Sequence, residues 1–266
     1  MFSPVNTMTQ MNRFTLALET LAELPTGTRP DGAEPLVGLP NLSEVLAEFS
    51  PLPQQALFLG IASDGLPVLL NLRDPIPGAI LIAGDPGSGK TRMLQTMARG
   101  VDLLQKTQDV KYVVLTRRPE EWTPAESFTN CDGILLASSP EAADYLGSLA
   151  KWAQENRNDR QIVLLLMDDL EALVAAGESH QYLRWLLLNG PGRQVWPVVT
   201  LSADRANHLR SWMEVFRTRL HGHLENMADI EWLTGKSNFS FKHLVPGSQF
   251  AMREGNNWLP FWLPKI

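Results

Sequence analysis

The sequence predicts an α/β domain in which a mostly parallel sheet carries helices on both faces. Three observations predict it. Apolar runs of strand length at 79–83, 111–116, 134–137, 162–167 and 197–202 alternate with helical stretches at 90–104, 140–155 and 179–188. That alternation is how parallel strands are joined through crossover helices. The run at 162–167 contains no polar residue, as a strand buried on both faces requires. Finally, the run at 79–83 ends directly in a glycine-rich loop that opens onto a helix.

The elements follow in order. Residues 1–50 are expected to form a helical N-terminal appendage and 51–266 the main domain. In the appendage one amphipathic helix is expected over 6–23, carrying Met8, Phe14, Leu16, Leu18 and Leu21 at apolar positions. The run 25–38, with Pro25, Gly27, Pro30, Gly32, Pro35 and Gly38, reads as an irregular connector. A short helix over 41–48 follows, capped by Asn41 or Ser43. The main domain opens with a β-hairpin, 56–62 and 66–72, turned at Asp64-Gly65, where Asp-Gly tolerates the positive φ of a tight turn. Pro140 suits the first turn of the helix at 140–155. Residues 205–216 read as mostly helical, and strands are expected at 219–224, 249–253 and 258–262.

Composition narrows the function. The 266 residues are 44% hydrophobic and 20% charged, which excludes disorder for most of the chain. No apolar run approaches the roughly 18 residues needed to cross a bilayer, and the first residues lack the basic-then-apolar layout of a secretory signal. A cytoplasmic protein is therefore expected. A lone cysteine, Cys131, excludes an internal disulfide framework and a cysteine-built metal site. With 23 basic against 29 acidic side chains, the net charge of −6 argues against wholesale coating of nucleic acid. A local basic strip nevertheless stands out: Arg193, Arg205, Arg210, Arg217 and Arg219 against Asp204 and Glu214. It is either a binding strip or an ordinary solvated face.

Gly84, Asp85, Pro86, Gly87, Ser88, Gly89, Lys90 and Thr91 fit the phosphate-loop pattern G-x-x-x-x-G-K-S/T, with Arg92 next in the helix. Glycines let the backbone curl so that successive N–H groups face phosphate oxygens. The helix adds the positive end of its dipole. Lys90 is placed to reach the β- and γ-phosphates of ATP, and the Thr91 hydroxyl to bind Mg²⁺. A second element is the strand ending in Asp168-Asp169. It presents carboxylates at the carboxyl edge of the sheet, where ligands of open α/β sheets bind. Asp168 is expected to hold Mg²⁺, and Asp169 to act as the catalytic base. Glutamate is usual at the latter position in ATP-hydrolysing relatives, and aspartate is one methylene shorter. Either Asp169 works in tighter geometry, Glu171 contributes, or turnover is slow. At the end of the strand 197–202, Ser202 or Asp204 is placed to sense the γ-phosphate, unless Asp204 only caps the next helix.

These residues resemble the FtsK/HerA family of P-loop motor ATPases. Leu59-Gly60, Asp64-Gly65-Leu66-Pro67-Val68 and Leu72 are similar to the hairpin that precedes that family's nucleotide loop. The stretch from Pro77 to Gly84 is similar to its lead-in strand. Arg193 opens a stretch through Arg205 that matches the family's arginine-to-sensor segment in register. Arg217-Thr218-Arg219 and the run from Pro246 to Met252 resemble its last strands. The resemblance implies a RecA-like core, ATP and Mg²⁺ as cofactors, a hexameric ring of identical subunits, and ATP-driven movement of DNA. It also implies a catalytic arginine reaching the neighbouring subunit's γ-phosphate, with Arg193 first and Arg217 and Arg219 behind it. Two departures stand out: Asp169 replaces the family's glutamate, and Ala203-Asp204 its Thr-Gln pair. The accessory DNA-contacting domains of full-length translocases are not seen, so a protein partner supplying DNA contacts is one expectation. The alternatives are a nucleotide-dependent switch or scaffold with slow hydrolysis and, more weakly, a small-molecule kinase. Trp258, Phe261 and Trp262 are expected to pack the final hairpin onto the core. His221 and His223, alternating on one strand, lack a third metal ligand.

Overall fold

The computed structural model describes residues 38–156, 161–175, 177 and 179–266. The helix expected over 6–23, and the connector at 25–38 apart from Gly38, lie outside the described residues. Among the described residues ten strands form one sheet: β1 (Ala56–Ala62), β2 (Pro67–Asn71), β3 (Ala79–Gly84), β4 (Val110–Thr116), β5 (Cys131–Leu136), β6 (Ile162–Asp168), β7 (Val195–Ser202), β8 (Phe216–His221), β9 (Gln249–Glu254) and β10 (Asn257–Trp262). Their spatial order is β2-β1-β10-β9-β8-β3-β7-β6-β4-β5. The block from β8 to β5 is parallel. The block from β2 to β9 is antiparallel and joins it at β8. The seven α-helices among the described residues are α1 (Leu42–Glu48), α2 (Lys90–Leu104), α3 (Pro140–Glu155), α4 (Leu170–Ala175), α5 (His180–Asn189), α6 (Arg210–Met213) and α7 (Met227–Thr234).

Period-two alternation assigns each central strand to two cores. Ile80 and Ile82 of β3, with Tyr112, Val114, Leu164 and Leu166, pack against Met93, Leu94, Met97 and Val101 of α2. Leu81 and Ala83, with Val113, Leu115 and Met167, pack on the other face against Leu146 and Leu149 of α3 and Leu183 and Leu187 of α5. The expected α/β architecture with helices on both faces is thus formed. Leu42, Val45 and Leu46 of α1 cover Phe58 and Ile61 of β1. A backbone bond from Leu42 N–H to the Lys265 carbonyl (2.7 Å) and another from Lys265 N–H to the Pro40 carbonyl (2.9 Å) hold this helix in place.

Several features differ from the sequence reading; β5 begins at Cys131 rather than 134, and the short helix α4 (Leu170–Ala175) follows β6 where none was expected. The segment expected to be mostly helical at 205–216 is a 3₁₀ stretch, Ala203–Leu209, followed by the single turn of α6. The strand expected at 219–224 is β8, displaced toward the N-terminus. Its pairing with β3 begins at Ala79 opposite Phe216, and Thr218 Oγ1 donates to the Pro77 carbonyl. His223 therefore lies beyond the strand and does not share a face with His221. The short helix α7 was not anticipated, although Asn226 caps it by accepting from Ala228 N–H and Gly235 stops it at φ +73°. The final hairpin packs as expected, with Phe261 and Trp262 buried and the half-buried Trp258 packed against the core.

Candidate functional site: a phosphate loop facing paired aspartates

β3 is buried along its whole length and ends at Gly84, from which the chain turns through Asp85, Pro86, Gly87 and Ser88 into α2. Gly89 caps that helix at φ +94°, and Gly87 sits at +80°, both in the left-handed region that L side chains resist. Gly89 has a second reason to be glycine, since a Cβ there would lie 2.7 Å from Gly247 Cα. The loop is fastened from several sides. Asp85 N–H donates to the His223 carbonyl (3.0 Å), and the Asp85 carboxylate accepts from Glu225 N–H (2.7 Å). Gly247 N–H donates to the Ser88 carbonyl at 3.1 Å. The Arg92 guanidinium donates to the carbonyls of Gly247 and Pro264, each at 3.0 Å. Arg92 thus braces the loop from behind.

Lys90 Nζ donates to the Gly84 and Asp85 carbonyls, each at 2.8 Å, which uses two of its three N–H donors. Burial lowers the Lys90 pKa, and the negative charges of Asp168, Asp85, Asp169 and Asp204 oppose that shift. Four carboxylates thus favour the charged form of the ammonium against its burial.

The strand order explains how the acids meet the loop. β7 lies between β3 and β6, so Ser202 pairs with Gly84 while β6 ends one strand further away. Asp168 bridges the gap. Its Oδ2 accepts from Thr91 Oγ1 and its Oδ1 from Thr200 Oγ1, both at 2.9 Å. Thr200 Oγ1 in turn accepts from Asp169 N–H at 2.7 Å. Asp169 has φ +93°, an uncommon conformation for a residue with a side chain. Its carboxylate has a partner on each oxygen. Oδ1 accepts from Glu171 N–H (2.9 Å), and Oδ2 lies 3.2 Å from Arg117 Nε. Glu171 is flanked by Arg117 and Arg205, each at 3.8 Å, and Arg205 also meets Asp204 at 3.4 Å.

The structure brings together Gly84 to Thr91, Asp168, Asp169 and Glu171. It does not bring Arg193 to them. That residue is exposed in the 3₁₀ turn before the opposite end of β7, so the length of that strand, about 23 Å for Val195–Ser202 at the usual rise per residue, separates it from the loop. Arg217 is exposed at the same amino edge. The Arg219 guanidinium is engaged by the carbonyls of Met213, Leu233 and Phe216. Three participants were missed. Thr200 is 2% exposed in a strand that is otherwise apolar up to its last residue, and that buried hydroxyl was the available signal. Arg117 arrives because Thr116 pairs with Asp168 across β4 and β6. Glycine 247 and its hairpin meet the loop across about 160 residues of sequence, and no local pattern announces it.

The donor set fits a magnesium nucleotide. The Thr91 hydroxyl and Asp168 carboxylate form the all-oxygen pair that a small hard cation takes. Gly87 and Gly89 leave the inner wall of the loop free of side chains. Among the described residues no helix is long and apolar enough to cross a membrane.

The fold is that of RecA-like P-loop ATPase domains. Comparison with known protein families and with curated proteins returns no match. Solved structures do match. Thermomonospora curvata EccC (ATPases 2 and 3), in complex with a signal sequence peptide, superposes with a TM-score of 0.66 at 14% identity, covering 94% of this chain and 47% of that one. EssC (ATPases 2 and 3) from Geobacillus thermodenitrificans gives 0.68 at 12% identity, covering 89% and 48%. The pCW3 conjugation coupling protein TcpA, in its monomer form with ATPγS, gives 0.64 at 14% identity, covering 88% and 72%. The chain spans about half the length of the EccC and EssC structures it matches.

Proposed function

We propose that this chain binds ATP with Mg²⁺ at residues 84–92 and hydrolyses it within a ring of identical subunits, coupling the reaction to work on DNA. The observation that carries the ATPase part is the hydrogen-bonded chain Thr91–Asp168–Thr200–Asp169 opposite Lys90. Loop N–H groups and the α2 dipole hold the phosphates, and Lys90 supplies a charge at the β- and γ-phosphates. Thr91 and Asp168 would hold Mg²⁺, whose charge would offset the negative charge developing on the phosphates. Asp169 orients the attacking water and takes its proton. Arg193, on the far edge of the sheet, serves the nucleotide of a neighbouring subunit. DNA and the ring rest on the FtsK/HerA resemblance. The likeness to secretion ATPases EccC and EssC and to the conjugation protein TcpA supports a motor of this general kind.

A second reading is favoured by one observation: both Asp169 oxygens are already engaged, by Glu171 N–H and by Arg117. In that reading the chain is a nucleotide-dependent switch with slow turnover. Steady-state ATP hydrolysis by wild type and Lys90→Ala, each with and without duplex DNA, separates the two. Lys90-dependent turnover that rises with DNA supports the motor. Tight ATP binding without turnover in either condition refutes it and leaves the switch.

A further inference from the structure

Away from the phosphate loop, two cavities of about 410 and 570 Å³ adjoin on the face of β8, β9 and β10 beside the C-terminal end of α7. They share Thr234, Arg253 and Trp258 and so form one trough. We propose that this trough binds single-stranded nucleic acid. The inference deepens the DNA part of the proposed function by naming a strand type and a contact surface.

The charges point to an anionic ligand. Arg217 lines the first cavity, Lys236 the second and Arg253 both, and all three side chains are exposed. None of them is paired with a carboxylate among the described residues, and no Asp or Glu is among the described residues lining the trough. In a chain of net charge −6, a trough with three cations that meet no carboxylate among the described residues departs from the surface average; Arg253 Nε donates to the Gly255 carbonyl (3.2 Å). Arg219 plays a different part. Bound to three carbonyls, it shapes the wall and leaves phosphate contacts to the other three.

The rings point to a planar ligand. Trp258 is half-buried and fixed in place by ring contacts with His221 (5.6 Å), Phe241 (4.8 Å) and Phe239 (5.9 Å). A braced indole that lines both cavities is a ready stacking platform, and Trp232 lines the first cavity as well. His221 also lines that cavity, is 1% exposed, and its Nδ1 has no hydrogen-bond partner. Burial and the neighbouring Arg219 push its pKa down to about 3, so it presents a neutral ring. Asn238, Asn256 and Asn257 supply amides along the second cavity, the groups that pair with base edges.

Competing occupants fit less well. A peptide bound by strand addition needs an open sheet edge. β8, β9 and β10 each have a neighbour on both sides, so none is available. A duplex keeps its base faces stacked and cannot use the Trp258 ring. A single strand uses the cations through its phosphates and the indole through its bases.

The test is anisotropy of a fluorescein-labelled oligothymidylate of about 12 nucleotides titrated with the full chain, alongside intrinsic tryptophan fluorescence. The expected result is saturable binding that quenches tryptophan emission. Lys236→Gln with Arg253→Gln should weaken it at least about tenfold and reduce the slope of log affinity against log salt by about 1.4. Trp258→Leu should abolish the quench. Hydrolysis of ATP without nucleic acid should be unchanged in the Lys236→Gln, Arg253→Gln variant. Lys90→Ala should retain oligothymidylate binding while losing turnover, so the two readings fail separately. Undiminished binding by the exposed double variant overturns the proposal. So does equal affinity for a duplex of the same length, or equal competition by polyglutamate, which would make the trough an acidic-peptide site.

Discussion

Thr200→Val removes one hydroxyl while keeping the shape of a 2% exposed side chain, so it opens no cavity. The hydroxyl makes two hydrogen bonds, donating to Asp168 Oδ1 at 2.9 Å and accepting from Asp169 N–H at 2.7 Å. A bond to a charged group contributes about 1.5–3 kcal/mol and an ordinary one about 1 kcal/mol. Discounting for the partial exposure of both aspartates, the loss should be about 2 kcal/mol. For a body of this size that lowers the melting temperature by about 4–8 °C. Turnover should fall further than stability. The Asp169 amide loses its anchor, and displacement of a catalytic group by about 1 Å costs on the order of a hundredfold. ATP affinity should stay within about threefold, because Lys90 and the loop amides are untouched. Urea unfolding, ATPγS binding and steady-state hydrolysis read the three quantities. Wild-type stability and turnover in Thr200→Val would refute the argument that this hydroxyl links the two aspartates.

Gly87→Ala and Gly89→Ala both place a side chain at positive φ, which costs about 1–2 kcal/mol, but only Gly89 also meets a backbone atom at 2.7 Å. Gly89→Ala should therefore unfold at a urea concentration clearly below Gly87→Ala, and equal midpoints would sink the packing argument. His221 has a folded pKa of about 3 against 6.5 unfolded, so the unfolded chain takes up its proton first. The stability it contributes is complete above pH 6.5 and is lost as pH falls toward 3, by about 2 kcal/mol at pH 5. His221→Leu should flatten that part of the stability profile relative to wild type, and an unchanged slope would contradict the buried neutral assignment. Arg117→Gln breaks a half-exposed ion pair and should change stability by less than about 1 kcal/mol. Under the switch reading it releases Asp169 Oδ2, so the rate of hydrolysis should rise severalfold; a fall would make Arg117 a positioning residue instead.

The loop was legible because its chemistry is local. A buried strand, glycines at turn positions, and Lys90-Thr91 at a helix start need only neighbours in sequence, and α2 spans the expected residues. The strand ending in Asp168 was legible for the same reason. Strand order is a different kind of information. Nothing within 162–169 says that β7 lies between β6 and β3, and that placement is what makes Thr200, rather than Ser202 or Asp204, the residue that joins the aspartates. Arg117 depends likewise on β4 lying beside β6. For Arg92, the residue next to a phosphate loop reads as a ligand contact, and its partners here are carbonyls in the turn before β9 and just beyond β10. Arg193, expected to act on a neighbouring subunit, sits before the amino end of β7, and its register with a family motif does not by itself fix that position.

The bracing of the phosphate loop has a mechanical consequence. Arg92 and Gly247 tie it to the turn that leads into β9, and Pro264 follows directly on β10. The β9–β10 hairpin is thus both a wall of the cationic trough and a mount for the nucleotide loop. Tension applied to the hairpin has a short load path to Ser88 and Arg92, without crossing the rest of the sheet. By thermodynamic reciprocity, any shift that an occupant of the trough imposes on nucleotide affinity is returned in equal measure when nucleotide binds.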